Sequence, residues 1–291
     1  MSGSPEGLCI PAFAAVSEDF LDAGHLWLHE YPDGTSFGLR LGDDGRLQFA
    51  FIDPASETQP SPQWVHAERV PPEYGFAVRE IQRQFDRMAL QKAVSAPAKV
   101  TLWCVAVHRR HRGYNWELAP SVVGIDIAYS ESTFLPHELE QVFAALGLAT
   151  LPTLDTEVHV REVPSTGVST PGTHWGEGAA FGVLYRKKGG GLAKTRAQAY
   201  QGEPEGVEPL TCSAETYAAE VASDGRLNSL VETLAEANRP PSVQSLTDLV
   251  VGRTLREAYP RLTHSETTLD IEALQSAVAR RVGEFLGEGS W

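Results

Sequence analysis

The chain has 291 residues, 42% of them apolar and 21% charged, enough for a packed core and poorly suited to wholesale disorder. Its 38 acidic residues against 24 basic ones leave a net charge of −14, which disfavours a broad nucleic-acid surface and leaves only local basic sites. No apolar run is long enough to cross a membrane, the N-terminus has no basic-then-apolar leader, and Cys9, Cys104 and Cys212 form no paired framework or metal spacing, so the expected setting is a reduced cytoplasm with no membrane partner.

The first third reads as strands. Leu26 to Glu30 runs into Tyr31-Pro32-Asp33-Gly34, where proline and Asp-Gly mark a turn. Phe37 to Leu41 and Leu47 to Phe51 flank Gly42-Asp43-Asp44-Gly45 and predict a β-hairpin. Residues 53 to 63 are polar and proline-bearing, hence a loop. A single helix is predicted over 73–92, with Phe76, Ile81, Phe85 and Met88 near helical period and Arg79, Arg83 and Arg87 repeating on another face. Strand character returns at 100–107 and 121–128, and Pro136 opens a helix closed by Gly147. Val158 to Val163 is read as a further strand, and residues 181–185 and 192–196 flank Gly189-Gly190-Gly191 as a second hairpin.

Beyond about residue 206 the pattern turns helical, over 214–222, 227–237, 242–259 and 271–286. The expected architecture is α+β: a domain of antiparallel sheets and helices over 1–205, then a small helical domain over 206–291.

Two stretches stand against the overall acidity. Residues 79–112 sum to +6 and residues 183–197 to +5, leaving −25 for the rest. Each is either an ordinary solvated face or a place where phosphate is focused. Alternation puts Lys194 and Arg196 on one strand face, an arrangement suited to phosphate oxygens. Glu30 and Asp33 bracket the turn at 31–34; Asp33 either starts that turn or, with Glu30, lines a pocket. The three glycines lack the Gly-Lys-Ser/Thr tail of a phosphate-cradling loop and the dinucleotide spacing. The pairs His25/His29 and His108/His111 fall in or beside strands, where their spacing does not converge on a metal, and no Gly-x-Ser-x-Gly elbow occurs.

The ordered segments over residues 22–235 resemble the ATP-dependent RNA ligase branch of the covalent nucleotidyltransferases. Glu30-Tyr31-Pro32-Asp33-Gly34-Thr35 is similar to that family's Glu-Lys-x-(Asp/His)-Gly-(Thr/Ser) segment, whose lysine forms an enzyme–adenylate. Arg110 to Tyr114, Val123 to Ile127 and Phe134-Leu135-Pro136 resemble its middle region. Glu177-Gly178 resembles its Glu-Gly strand motif, whose glutamate helps hold metal or nucleotide. Lys194-Thr195-Arg196 resembles its last motif, whose first lysine contacts the ATP α-phosphate, with Tyr200 and Glu205 following.

The departures are Tyr31 in the lysine position, Trp103-Cys104 near the expected Gly-Glu pair, and no arginine after Phe49 to Phe51. A tyrosine phenol would give a phosphodiester instead of the labile phosphoramidate, so Tyr31 is read as a packing or nucleotide-stacking residue and no catalytic residue is assigned. Lys187 or Lys188 reaching in from another strand is a lesser substitute for the nucleophile.

The resemblance implies ATP or another nucleotide as ligand, Mg²⁺ with Glu177 as its ligand if catalysis survives, and a phosphorylated RNA end as partner. Glu30, Asp33, Glu177, Lys194 and Arg196 would form the site, and the Arg79, Arg83 and Arg87 face would receive a polyphosphate or RNA backbone. The function expected is nucleotide or RNA-end binding without ordinary lysine adenylylation, with noncanonical nucleotidyl transfer as its enzymatic version. The alternative is a noncatalytic binding or assembly module with a protein partner.

Overall fold

The computed structural model describes residues 10–52, 62–130, 132–188, 190–202 and 206–288. Cys9, most of the 53–63 loop, Gly189 and Glu205 lie outside them. The chain divides into two units, Met1–Val70 with Ala77–Glu203, and Pro71–Phe76 with Pro204–Trp291. The architecture is α+β, as expected, with two mostly antiparallel sheets in the first unit and helices in the second.

The first unit opens with α1 (Phe13–Phe20), which the strand reading of this region passes over although Phe13, Val16 and Phe20 share a helical face. Then come β1 (His25–Tyr31), β2 (Gly34–Leu41), β3 (Leu47–Phe51) and β4 (Val65–His66). β2 and β3 form the expected hairpin, but β1 and β2 do not pair with each other. The Pro32-Asp33 turn instead carries the chain from one sheet to the other. Gly34 makes that crossing possible: its φ is +154°, and a Cβ there would lie 2.2 Å from the Ala106 carbonyl oxygen.

The helix expected over 73–92 is two helices, α2 (Gly75–Gln84) and α3 (Arg87–Ala93). Asp86 ends the register by leaving helical geometry and capping α3 through Ala89 N. The break puts Arg87 on a different helix from Arg79 and Arg83, so the three do not form one face.

β5 (Thr101–Val107), buried throughout, lies between β2 and β6 (Val122–Ala128) in the second sheet. α4 (Pro136–Ala145) starts at Pro136 as predicted, followed by β7 (Ala149–Thr150) and β8 (Thr153–His159). The strand expected to Val163 stops at His159, whose side chain accepts from Arg161 N and starts a 3₁₀ turn. β9 (Gly182–Lys187) and β10 (Leu192–Arg196) form the second expected hairpin. The first sheet runs β10-β9-β1-β8 and the second β4-β3-β2-β5-β6-β7.

Alternation along the strands separates two cores. Leu26, Leu28, Val183, Tyr185 and Ala193 pack with Phe13 and Phe20 of α1. On the other face Tyr31 and Leu184 pack with Val105, Val107, Val123 and Ile125 of the second sheet, together with Tyr114, Trp175 and Phe181. Full burial of each such side chain is worth about 1.5–3 kcal/mol, so this aromatic-rich seam holds the two sheets together.

The second unit contains α5 (Ala214–Val221), α6 (Asp224–Glu236), α7 (Val243–Glu257), α8 (Tyr259–Leu262) and α9 (Ile271–Glu288). Ser213 and Ser242 cap α5 and α7. Among the described residues no helix is long and apolar enough to cross a membrane.

Candidate functional site

Tyr31 ends β1 facing the seam between the sheets. It is buried, and its hydroxyl lies 3.3 Å from Ser36 Oγ. The register sets Tyr31 opposite Gly182 and Gly182 opposite Arg196, while Lys194 pairs with Leu184. A Cβ on Gly182 would fall 2.2 Å from the Thr195 carbonyl oxygen, so only glycine fits, and no side chain separates Tyr31 from Arg196 on that row. Lys194, half-buried, holds its Nζ 4.9 Å from the centre of the Tyr31 ring. Arg196 lies 5.3 Å over Phe181 and donates to the Tyr200 carbonyl. The structure thus brings Tyr31, Lys194 and Arg196 together.

Asp33 has a different place. It is 1% exposed, and its Oδ2 accepts from three successive backbone N–H groups, Arg110 at 2.7 Å, His111 at 2.6 Å and Arg112 at 3.0 Å. Its own N–H donates to the Tyr114 hydroxyl at 2.8 Å, and its Oδ1 lies 3.5 Å from His111 Nδ1. Burial pushes the carboxyl pKa up, but the His111 side chain and the three backbone donors outweigh it and hold the pKa below 3.8. The same contact raises the His111 pKa, against an opposing push from burial. Asp33 therefore moulds the 108–114 loop instead of pointing a free carboxylate at a ligand.

Glu30 is fully buried on the alternate strand face from Tyr31. Its carboxylate accepts from the Thr173 hydroxyl and His174 N–H and sits 2.8 Å from His174 Nδ1. Glu177 lies in an exposed bend five residues before β9, and the strand itself opens on Gly182 after Phe181. Its carbonyl accepts from Arg112 Nη2 at 2.8 Å. The three carboxylates singled out from sequence thus stand in three settings. Among the described residues no three His, Cys, Asp or Glu side chains converge on a metal position. Of the three, only Glu177 is exposed.

Sequence reasoning gave no separate role to Arg112. Its side chain is buried, with the guanidinium 4.8 Å from the Tyr114 ring and 5.9 Å from Tyr200. It donates to the Gly113 and Glu177 carbonyls, while Nη1 has no partner. The rings Phe181 and Tyr200, 5.8 Å apart, connect it with Arg196 and His111. Several other cations do have an acid: Arg83 pairs with Glu80, Arg186 with Asp126 and Arg226 with Glu257. Lys194, Arg196 and Arg112 have no carboxylate partner among the described residues. The signal for Arg112 was available in the basic run 109–112, but not its distant partners Glu177 and Tyr200, 65 and 88 residues downstream.

The chain is built on an RNA-ligase-like fold. Its structure is similar to that of a Naegleria gruberi RNA ligase mutant with ATP and Mn, at TM-score 0.50 and 12% identity, over 69% of this chain and 58% of that one. A second mutant of that ligase with AMP and Mn matches at TM-score 0.47 and 10% identity, again over 69% and 58%, and the ligase with PPi at 0.46 and 10% over the same shares. The chain thus spans less than two thirds of the length of these structures, and at such identity the likeness concerns the fold alone. No family model matches the chain, and no curated protein matches it in sequence.

Proposed function

We propose that this protein holds a nucleotide or a phosphorylated RNA end noncovalently, without passing through a lysine adenylate. The observation that carries this reading is Lys194 poised over the buried Tyr31 ring. The family resemblance puts a nucleophilic lysine at position 31, and here a phenol fills it, hydrogen-bonded to Ser36. The ammonium of Lys194 and the guanidinium of Arg196, on one strand face with no carboxylate partner, suit phosphate oxygens. Binding of a phosphate would supply the counter-charge that the surrounding side chains do not.

The test is calorimetric titration with ATP, with and without Mg²⁺, alongside incubation with α-labelled ATP. Wild type is expected to bind and to acquire no covalent label, and Lys194→Ala to lose at least tenfold in affinity, about 1.4 kcal/mol. A denaturation-stable AMP adduct would overturn the noncovalent reading. Absence of binding at millimolar ATP would favour a second reading, a noncatalytic assembly module. That reading is supported by the internal engagement of Glu30 and Asp33 and by the aromatic packing around Tyr31.

A further inference from the structure

His111 stands where three segments meet beside the cations: the turn after β1, its own 108–114 loop and the segment that follows β10. Its side chain is 9% exposed. Nε2 lies 3.0 Å from the Gly202 carbonyl oxygen. Nδ1 lies 3.5 Å from Asp33 Oδ1, the separation of a charge contact rather than a hydrogen bond. Neither His111 Nδ1 nor Asp33 Oδ1 has a hydrogen-bond partner, so that contact is what each of them has.

A carbonyl oxygen only accepts, so Nε2 carries a proton. The Asp33 carboxylate, kept ionised by its backbone donors, also only accepts. A neutral ring would therefore set the Nδ1 lone pair against Oδ1, whereas an imidazolium turns an N–H and a positive charge toward it. The geometry is that of the charged ring. Two charged groups from other elements act on it: Asp33 favours the charge, and Arg196 of β10, packed on the same Phe181 ring, opposes it. Arg110 and Arg112 flank it on its own loop. Gly202 lies two residues beyond Tyr200, whose carbonyl accepts from Arg196 Nη1 at 3.4 Å and whose ring stands 5.9 Å from the Arg112 guanidinium. The bond from His111 thus ties down a segment that contacts both arginines.

We propose that His111 is a positioning residue for the phosphate site: its imidazolium latches Gly202 to Asp33 and adds a positive group beside Arg196, so that proton binding and phosphate binding reinforce each other. This rests on the phosphate reading of Lys194 and Arg196. A phosphate on Arg196 offsets the charge that opposes the imidazolium, and by linkage the proton strengthens phosphate binding by the same factor. Loss of the proton leaves a lone pair facing the Asp33 carboxylate and slackens the latch.

The test is calorimetric titration of wild type and His111→Gln with MgATP between about pH 5.5 and 8.5, a range that brackets a histidine, in two buffers of different ionisation enthalpy. Glutamine keeps an N–H near the Nε2 position for the Gly202 carbonyl but cannot take up the proton. Ligand protonation is common to both proteins, so the difference between them belongs to His111. Wild-type affinity is expected to fall about threefold or more as pH rises through the His111 value, which lies above 6.5, with proton uptake on binding; threefold corresponds to a displacement of about half a pKa unit. His111→Gln should lack the uptake and the added slope. In the ligand-free protein, ring ¹⁵N shifts should report mostly imidazolium at pH 6.5, and a neutral ring there would overturn the latch. Binding with the same pH dependence and proton uptake in both proteins would overturn it too, and would leave the phosphate reading standing. No binding by wild type at any pH would overturn the phosphate reading, and this proposal with it.

Discussion

The role assigned to Asp33 makes the sharpest demand on experiment. Asp33→Asn keeps the size of the side chain and one carbonyl oxygen but removes the charge. Three hydrogen bonds that the carboxylate accepts, from the amides of residues 110, 111 and 112, become bonds to a neutral acceptor. A bond to an ionised partner is worth about 1.5–3 kcal/mol and a neutral one about 0.5–1.5, so the loss is about 1 kcal/mol per bond and about 3 kcal/mol for the loop. The chain has two units, so a single global unfolding free energy is the wrong observable. Amide hydrogen exchange at residues 110–112 reads the loop directly, and about 3 kcal/mol corresponds to a loss of protection of about a hundredfold.

The pH dependence is a second readout of the same variant. The folded Asp33 pKa lies below its ordinary 3.8, so the stability it contributes is present above 3.8 and lost as pH falls through the folded value. His111 behaves oppositely: its pKa is raised above 6.5, so its contribution is present below 6.5 and lost as pH rises through the folded value. Wild-type loop protection should therefore weaken on both flanks, and Asp33→Asn should remove both effects of the pair. Equal exchange at residues 110–112 in the two proteins would refute the claim that this carboxylate shapes the loop.

Two further outcomes are expected. Gly34→Ala places a methyl 2.2 Å from the Ala106 carbonyl oxygen at φ +154°, so β2 must shift from β5; a local destabilisation of about 3 kcal/mol or more is expected, visible as lost amide-exchange protection along β2 and β5, and unchanged protection there would contradict the close approach described. Buried His29 of β1 should remain neutral in an NMR titration until pH nears about 3. Because an unfolded histidine protonates near 6.5, stability held by this ring is present above 6.5 and lost on acidification toward 3; a titration near 6.5 in the folded protein would show that the ring is not buried as described.

Local pattern carried most of the fold. The β2–β3 and β9–β10 hairpins, the proline start of α4 and the helices after residue 206 follow from turn residues and periodicity within a dozen positions. The errors lie where a local signal has two uses. Asp86 is a polar residue tolerated by a continuous helix and a good cap for a new one, and the structure uses it as a cap. The Asp-Gly after β1 marks a turn either within a sheet or between sheets, and only the pairing of β1 with β8 and β9 separates these.

The site shows the same limit in its chemistry. Glu30 and Asp33 look equivalent in sequence, two carboxylates around one turn, yet each is bound by donors that arrive from 77 to 144 residues away. Charge patterning located the basic run, but which of its cations stay without an acid was decided only by folding. The basic run 183–197 divides on folding: Arg186 and Lys187 find Asp126 and Asp22, while Lys194 and Arg196 do not find an acid. In a chain with 14 more acids than bases, two cations on one strand face with no acid partner among the described residues are the feature on which the proposed phosphate site rests. The two buried carboxylates are engaged elsewhere, Glu30 by Thr173 and His174 and Asp33 by the 110–112 amides. Lys194→Ala is therefore the variant that tests the proposed phosphate site, whereas Glu177 stands in an exposed bend and is joined to Arg112 through its carbonyl.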